Sequence, residues 1–445
     1  MISNLPVLSL DRRAPRVTPP PPRVAGPVPF VGAGVDFLRN PTAFLEGARA
    51  RVGDTFLLEA FGFRLFFLFS PAGVKALYKL PEKQASFAEA TRTLIGFKLP
   101  HELLDTNMSM FHHLFGRGQV EGYLDHMKDA IREDVERLGT SGELEIFTHM
   151  KSLVHGMAFR CWAGREAASP RFRRRLVELF EALDPEEAFV RPARTFVTLV
   201  TKKAVERRAL REVERILEEV WQEREASGRN EGDMLESLHE LYAAETEEVR
   251  YAKVARDVMI LHIASQSNLY AALSWTLVNL VLRPEDLARV RDQGDDAWLE
   301  QCAHESIRLA QRSITLRKVV EPCTLDDGVR TYQLEKGVFV ATMLSVNNSA
   351  FGDLQRFDPR HYERSKVAAS VGLPTPEVVS TFGHGIHACP GQRFAISAIR
   401  TTIGELLRTF DFTPAFTSAA PKPAQMGAVA RAAEPCVVRY RRRSV

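Results

Sequence analysis

Near the C-terminus, residues 381–395 read TFGHGIHACPGQRFA. Three candidate metal ligands, His384, His387 and Cys389, sit there among small turn-formers, just ahead of an apolar helical pattern. The competing readings are a zinc knuckle, a structural buried cysteine and a single reactive thiolate. H-x2-H-x-C supplies three zinc ligands, but the loop is too short to wrap a tetrahedron and no second ligand pair lies nearby. A structural cysteine accounts for neither the glycines nor the histidine. With CPGQ taken as a helix start, Cys389 falls at the N-cap and Pro390 at N1, where its missing N–H costs nothing. The N–H groups of Gly391 and Gln392 then point back at the sulfur, and the helix dipole favours its thiolate, so its pKa is expected to fall. Gly383 and Gly385 permit the tight reversal in front. One presented thiolate suits a single axial bond to a metal.

Two other places carry polar groups that need a reason. The stretch 251–286 is long and apolar, yet Gln266, Ser267 and Asn268 interrupt it. Hydrocarbon penalises such groups, so a helix through a protein core is expected, with a buried partner or purpose for each. In HESIRLAQRSITLRKV (304–319), Glu305 and Arg308 stand three apart on one helical face and can pair.

These groups need a scaffold large enough to bury them. The chain has 445 residues, 45% apolar and 26% charged, which permits a sizeable core. Its formal charge of +3 gives no reason to expect nucleic acid as a partner. Five cysteines with no CxxC pair, and no apolar N-terminal stretch long enough for a span or signal, point to a soluble cytoplasmic protein without a transmembrane segment. Residues 1–23 read as a disordered Pro/Arg-rich leader, and 24–445 as one domain. Helical patterns dominate from about 120 to 320 and return at 391–410. Two strands, TFLLEAF and RLFFLFS, turn at Gly62, and more short strands follow residue 315. The expected fold class is mainly α with a minor β part.

The stretch 382–395, FGHGIHACPGQRFA, resembles the haem-binding signature of the cytochrome P-450 superfamily, F-x-x-G-x-[RH]-x-C-x-G-x-x-x-A, at every defined position. The resemblance implies the fold of that family, a single large helical domain shaped as a triangular prism with small sheets. It implies haem b as cofactor, Cys389 as the axial iron ligand and His387 against a propionate. Phe382 packs beside the sulfur, Gly383 and Gly391 shape the loop, and Ala395 leaves room beneath the porphyrin. It further implies that Glu305 and Arg308 lock the core on the cysteine side and that Arg317 reaches a propionate. RFDPRHY (356–362) resembles the family's meander segment, where either His361 or Arg360 completes the cluster. The usual W-x-x-x-R motif is missing, with His113 or Arg117 as possible substitutes. Segments from residue 24 onward look similar to the N-terminal region of sterol demethylases, so the resemblance covers most of the chain.

The family's oxygen-binding helix usually reads [AG]-G-x-[DE]-T-[TS], and this chain has Ala264-Ser265-Gln266-Ser267-Asn268-Leu269. Ala264 keeps the small profile a haem face needs, whereas Ser267 and Asn268 replace the acid and the threonine. The pattern is similar to a branch holding bile-acid and oxysterol hydroxylases and prostacyclin synthase, which contains both monooxygenases and an isomerase. Gln266, Ser267 and Asn268 are therefore the candidate catalytic residues, with bonding across helices as the plainer alternative. The implied reaction is oxidation of a hydrophobic substrate (sterol, terpenoid, fatty acid or polyketide-like) with O2 and NAD(P)H-derived electrons. A separate ferredoxin, flavodoxin or reductase delivers them, and Arg393 and Arg400 are candidates for a basic docking face. A reductase-independent isomerase or dehydratase of peroxides, or a non-catalytic haem-bound binding protein, stays open. The expected pocket walls are 261–270, 313–316 and 426–430, with 185–200 either a lid or a packed helix pair.

Overall fold

The computed structural model describes residues 20–104, 114–184, 198, 200–363, 367 and 371–444. At its centre runs the long helix Glu247–Val281, buried on nearly every side through its second half. Apolar residues all round a helix mark a position inside a core, and four others enclose this one. They are Ile146–Ala158, Ala204–Ser227, Asp296–Ala310 and Gln392–Thr409. No helix among the described residues is long and apolar enough to cross a membrane.

The strands gather at the edges of this helical body. β1 (Arg23–Val24), β2 (Thr55–Ala60), β3 (Phe63–Leu68) and β4 (Ala85–Ser86) come first, and β5 (Ser141–Glu145) follows the helix Arg117–Leu138. β6 (Ile314–Val319), β7 (Cys323–Asp326), β8 (Thr331–Leu334) and β9 (Phe339–Met343) lie together before the cysteine loop. β10 (Phe410–Pro414) and β11 (Val437–Arg442) close the chain. The main sheet has the order β1-β2-β3-β9-β6-β4. Pro22 and Arg23 already belong to it, since Leu57 N–H donates to the Pro22 carbonyl and Arg23 pairs with Leu57. Pro22 and Arg23, assigned to the leader from composition, thus bond into the main sheet. Between β2 and β3, Phe61 and Gly62 both have positive φ, 50° and 78°, as a two-residue type I′ hairpin turn requires.

The sheet matters to the site through one register. β4 pairs with β6, with Ala85 opposite Val319 and Ser86 opposite Lys318. This pairing carries Glu82, 235 residues away in sequence, onto Arg317. The segment 185–200 lies outside the described residues apart from Thr198 and Val200, and His113 lies outside them too. Arg117 opens the helix Arg117–Leu138.

Candidate functional site

The cysteine loop is held by its own backbone. Cys389 N–H donates to the Phe382 carbonyl at 2.7 Å, closing the reversal. Gly383 has φ +74°, and a Cβ there would stand 2.3 Å from the His387 carbonyl, so only glycine fits the turn. Cys389 is exposed, and the N–H groups of Gly391 and Gln392 reach its sulfur. The helix itself starts at Gln392 with Gly391 as N-cap, two residues later than the N-cap expected at Cys389. Although the residue as a whole is exposed, the protein packed around its sulfur desolvates the thiol and raises its pKa, and those two N–H donors only partly offset this. The expected fall is therefore reversed in the protein alone: the sulfur stands short of the helix end, and desolvation outweighs the donors.

The three possible metal ligands of this stretch point apart. His384 bonds the Pro376 carbonyl through Nε2 at 3.2 Å and packs edge-on against Tyr78. His387 Nε2 lies 2.8 Å from an Arg317 nitrogen. Among the described residues no group of three His, Cys, Asp or Glu side chains is placed to hold a metal ion.

Arg317 is fully buried on β6 and is held by the Leu77 and Leu80 carbonyls as well as by His387. Glu82 Oε2 sits 3.0 Å from the guanidinium and 3.8 Å from His387 Nε2. Burial, then the Arg317 charge, depresses the His387 pKa, so the ring is neutral near neutral pH and accepts from Arg317 through Nε2. The Glu82 pKa is lowered as well: burial raises it, but bonds from Ser86, Ala88, Phe87 and Arg317 together win. Glu82 went unnoticed in the sequence because no spacing links it to Arg317; only the β4–β6 pairing does.

Glu305, Arg308 and His361 form a closed cluster. Arg308 Nε donates to Glu305 Oε2 at 2.8 Å and its Nη2 donates to Oε1 at 2.5 Å, with both side chains 0% exposed. His361 Nδ1 lies 3.1 Å from Glu305 Oε1, and Asp358 N–H donates to the same oxygen at 3.0 Å. Arg360 turns away to Asp358 instead. Arg308 also donates to the Leu354 carbonyl, so the cluster pins the meander to the helix Asp296–Ala310. One residue before Glu305, His304 meets Phe382 edge-on at 5.9 Å, and this contact carries the support to the cysteine loop. Ala395 is half-buried against the same core as Phe382.

The long helix changes character at one place. Ala264 is exposed, and Ser265 and Asn268 are half-buried, in a run that is otherwise buried from 257 to 278. Positions 264, 265 and 268 lie on one side of a helix turning about 100° per residue, so they form a notch. Ser267 flanks the notch and is buried. Gln266 lies about 200° around the helix from Asn268 and is 1% exposed, with its Oε1 unpartnered. The structure thus gathers Ala264 and Asn268 and leaves Gln266 on the core side. Asn268 Oδ1 accepts from Val429 N–H at 3.1 Å, and its Nδ2 makes a long 3.4 Å contact to the Ala264 carbonyl. Residues 314–316 and 426–428 are half-buried apolar edges. Gln311 pairs with Val429 through the backbone, and its Nε2 donates to the Thr381 carbonyl at 3.2 Å. Asn268, Val429, Gln311 and Thr381 therefore connect the notch to the cysteine loop. Arg393 is exposed, whereas Arg400 is already paired with Glu300 at 3.1 Å.

These residues fit the haem that the resemblance implies. An exposed cysteine carries two N–H donors at its sulfur, and a small residue is bared on an otherwise buried helix. A buried arginine and a neutral histidine converge on a carboxylate, the chemistry a propionate needs.

The family profile described as Cytochrome P450 matches residues 19–438. The sterol 14-demethylase of Arabidopsis thaliana is 24% identical over 84% of this chain and 82% of its own length. The sterol 14alpha-demethylase of Mycolicibacterium vanbaalenii is 24% identical over 75% of this chain and 77% of its own. In fold, the retinoic acid bound cyanobacterial CYP120A1 superposes with a TM-score of 0.73 at 18% identity, covering 96% of this chain and all of that one. With the profile spanning nearly every described residue and the helical body and small sheets in place, the chain belongs to the cytochrome P450 family, and so is an oxidoreductase of the monooxygenase kind with haem b as its cofactor.

Proposed function

We propose that the protein oxidises a lipophilic substrate, of sterol, terpenoid, fatty-acid or polyketide-like character, with electrons delivered by a separate ferredoxin, flavodoxin or reductase. The observation carrying this reading is the exposed Cys389 loop joined, through Thr381, Gln311 and Val429, to the notch at Ala264 and Asn268. Bound through Cys389, haem would supply activation of O2, one oxygen atom entering a substrate C–H bond and the other leaving as water at the expense of two electrons and two protons. Arg317 and His387 would hold the propionate edge, and the Gly391 and Gln392 N–H groups would temper the sulfur's electron donation. Glu305, Arg308 and His361 would keep the loop from moving as the iron side is loaded. Ala264 would let the ring approach, while Ile314–Leu316 and Met426–Ala428 would offer apolar walls with few polar groups. Asn268 keeps amide hydrogens to hold a water near the notch, and Ser267 beside it has a hydroxyl able to pass a proton. Arg393 would belong to the face met by an acidic redox partner. The whole chain from residue 24 would act as one domain in this.

The sterol demethylase relatives at about 24% identity support a lipid substrate by likeness alone. A second reading, rearrangement of a lipid peroxide without external electrons, has one observation in its favour. Asn268 stands where the family has threonine, and its acceptor oxygen is already committed to Val429. One experiment decides. A lipid panel is offered with a reductase and NAD(P)H, and the matching hydroperoxides without either. Hydroxylated product only in the first arm is expected; rapid rearrangement in the second overturns it.

A further inference from the structure

The segment 425–431 is a short loop whose tip, Gly427 and Ala428, has positive φ at both residues, 87° and 53°. A non-glycine residue in that region is strained and persists only where the surroundings hold it. Here they do so from two sides. On one, Arg312 N–H donates to the Ala428 carbonyl, Gly427 N–H to the Arg312 carbonyl and Ala430 N–H to the Ala310 carbonyl, each at 2.9 Å. On the other, two side chains of the long helix reach across. Asn268 Oδ1 takes the Val429 N–H at 3.1 Å, and Trp275 Nε1 donates to the Ala430 carbonyl at 2.5 Å. Seven residues apart, these two share one stripe of the helix, so they lay the loop along its axis.

The two tethers are not equivalent. Trp275 is buried deep in the core, whereas Asn268 lies at the notch, beside the half-buried tip 426–428. We propose that Asn268 is a positioning residue: it latches the loop 425–431 to the long helix and so sets how far the apolar wall Met426–Ala428 leans over the notch. Threonine at 268 would be too short to replace the amide oxygen, and the buried Val429 N–H would lose its acceptor. The latch decides which ligand shapes fit beyond the iron, and it works through the amide oxygen, separately from the amide hydrogens assigned above to a water. The ligand-binding part of this inference rests on the haem reading above, while the hydrogen bond itself does not.

The test follows the bond directly. Amide exchange at Val429 is compared in wild type and in Asn268→Ala, Asn268→Thr and Asn268→Asp. Protection should fall about tenfold in the first two, as for one lost hydrogen bond, and be retained in Asn268→Asp, whose carboxyl oxygen keeps the acceptor in place. Unchanged protection in Asn268→Ala overturns the latch. The haem-loaded protein is then titrated with imidazole, which needs only the iron, and with a bulky triaryl azole, which must pass the loop. Affinity for the bulky azole should change about tenfold in Asn268→Thr while that for imidazole holds. Equal changes for both would place the role of Asn268 at the iron and overturn the proposal. Should the protein bind no haem, the exchange arm still decides, and the failure belongs to the functional reading alone.

Discussion

The two sides of the site are held by different physics. On the cysteine side the fastening is ionic and dry: Glu305 and Arg308 pair at 0% exposure, with His361 and the Asp358 N–H on the same carboxylate. On the side of the long helix it is neutral: an asparagine to a backbone N–H, an indole to a carbonyl and, on the helix's opposite face, a pair of buried imidazoles. A buried ion pair is costly to break because it strands a charge, whereas a neutral bond can be remade with modest loss. The cysteine side is thereby the costlier of the two to disturb.

The sharpest break of that contrast removes the sulfur. Cys389→Ala should abolish the reduced carbon-monoxide spectrum of thiolate-ligated haem, while the far-UV circular dichroism of the fold persists. Retention of the spectrum would sink the assignment of Cys389. Next in size, Arg308→Ala should destabilise the protein by about 3–5 kcal/mol, read by denaturant unfolding. A loss no larger than that of a surface substitution would show the cluster to be dispensable.

Acid separates the two sides more finely. His155 Nδ1 and His262 Nε2 lie 3.0 Å apart, and His262, on the long helix, stacks against Phe159. Burial lowers the His155 pKa from 6.5 to about 4 and that of His262 well below the usual range. As pH falls below 6.5 the unfolded chain takes up these protons first, so stability is complete above that value and is lost towards pH 4. From His155 alone, going from pH 7 to pH 5 should cost about 2 kcal/mol, and His155→Phe should flatten that slope. The Glu305 pKa is moved the same way for another reason: burial raises it, but Arg308, His361 and the Asp358 N–H overcome this and lower it. Its contribution is intact above its ordinary value of 4.5 and is lost only as pH falls through the lower folded value. Stability followed against falling pH should thus drop first through the histidine step and only at lower pH through the Glu305 step. Smallest of all, Arg317→Lys keeps the charge but loses the fork, and haem retention against a haem acceptor should drop by about 1.5 kcal/mol, a little over tenfold. No change would mean His387 holds that edge alone.

Much of this was legible in local patterns. The helices Pro170–Leu183 and Asp296–Ala310 follow from their apolar spacing, and the β2–β3 hairpin from two short apolar runs meeting at Gly62. The cysteine loop was legible because its glycines, proline and cysteine act over fourteen adjacent positions, where geometry is nearly sequence-determined. In the protein alone the Cys389 pKa moves up rather than down, because a local pattern reports nearby donors but not the desolvation of the thiol.

By itself, then, the sequence determined the tight turn of the cysteine loop, the Glu305–Arg308 pair and the core character of the long helix, all through interactions spanning a few residues. Only the tertiary structure decided that His361 rather than Arg360 joins Glu305, that Glu82 meets Arg317, and that Gln266 faces away from the notch. It alone turned Asn268 towards Val429, 161 residues on. Such partners are chosen by strand register and by the packing of distant segments, and no spacing along the chain encodes either.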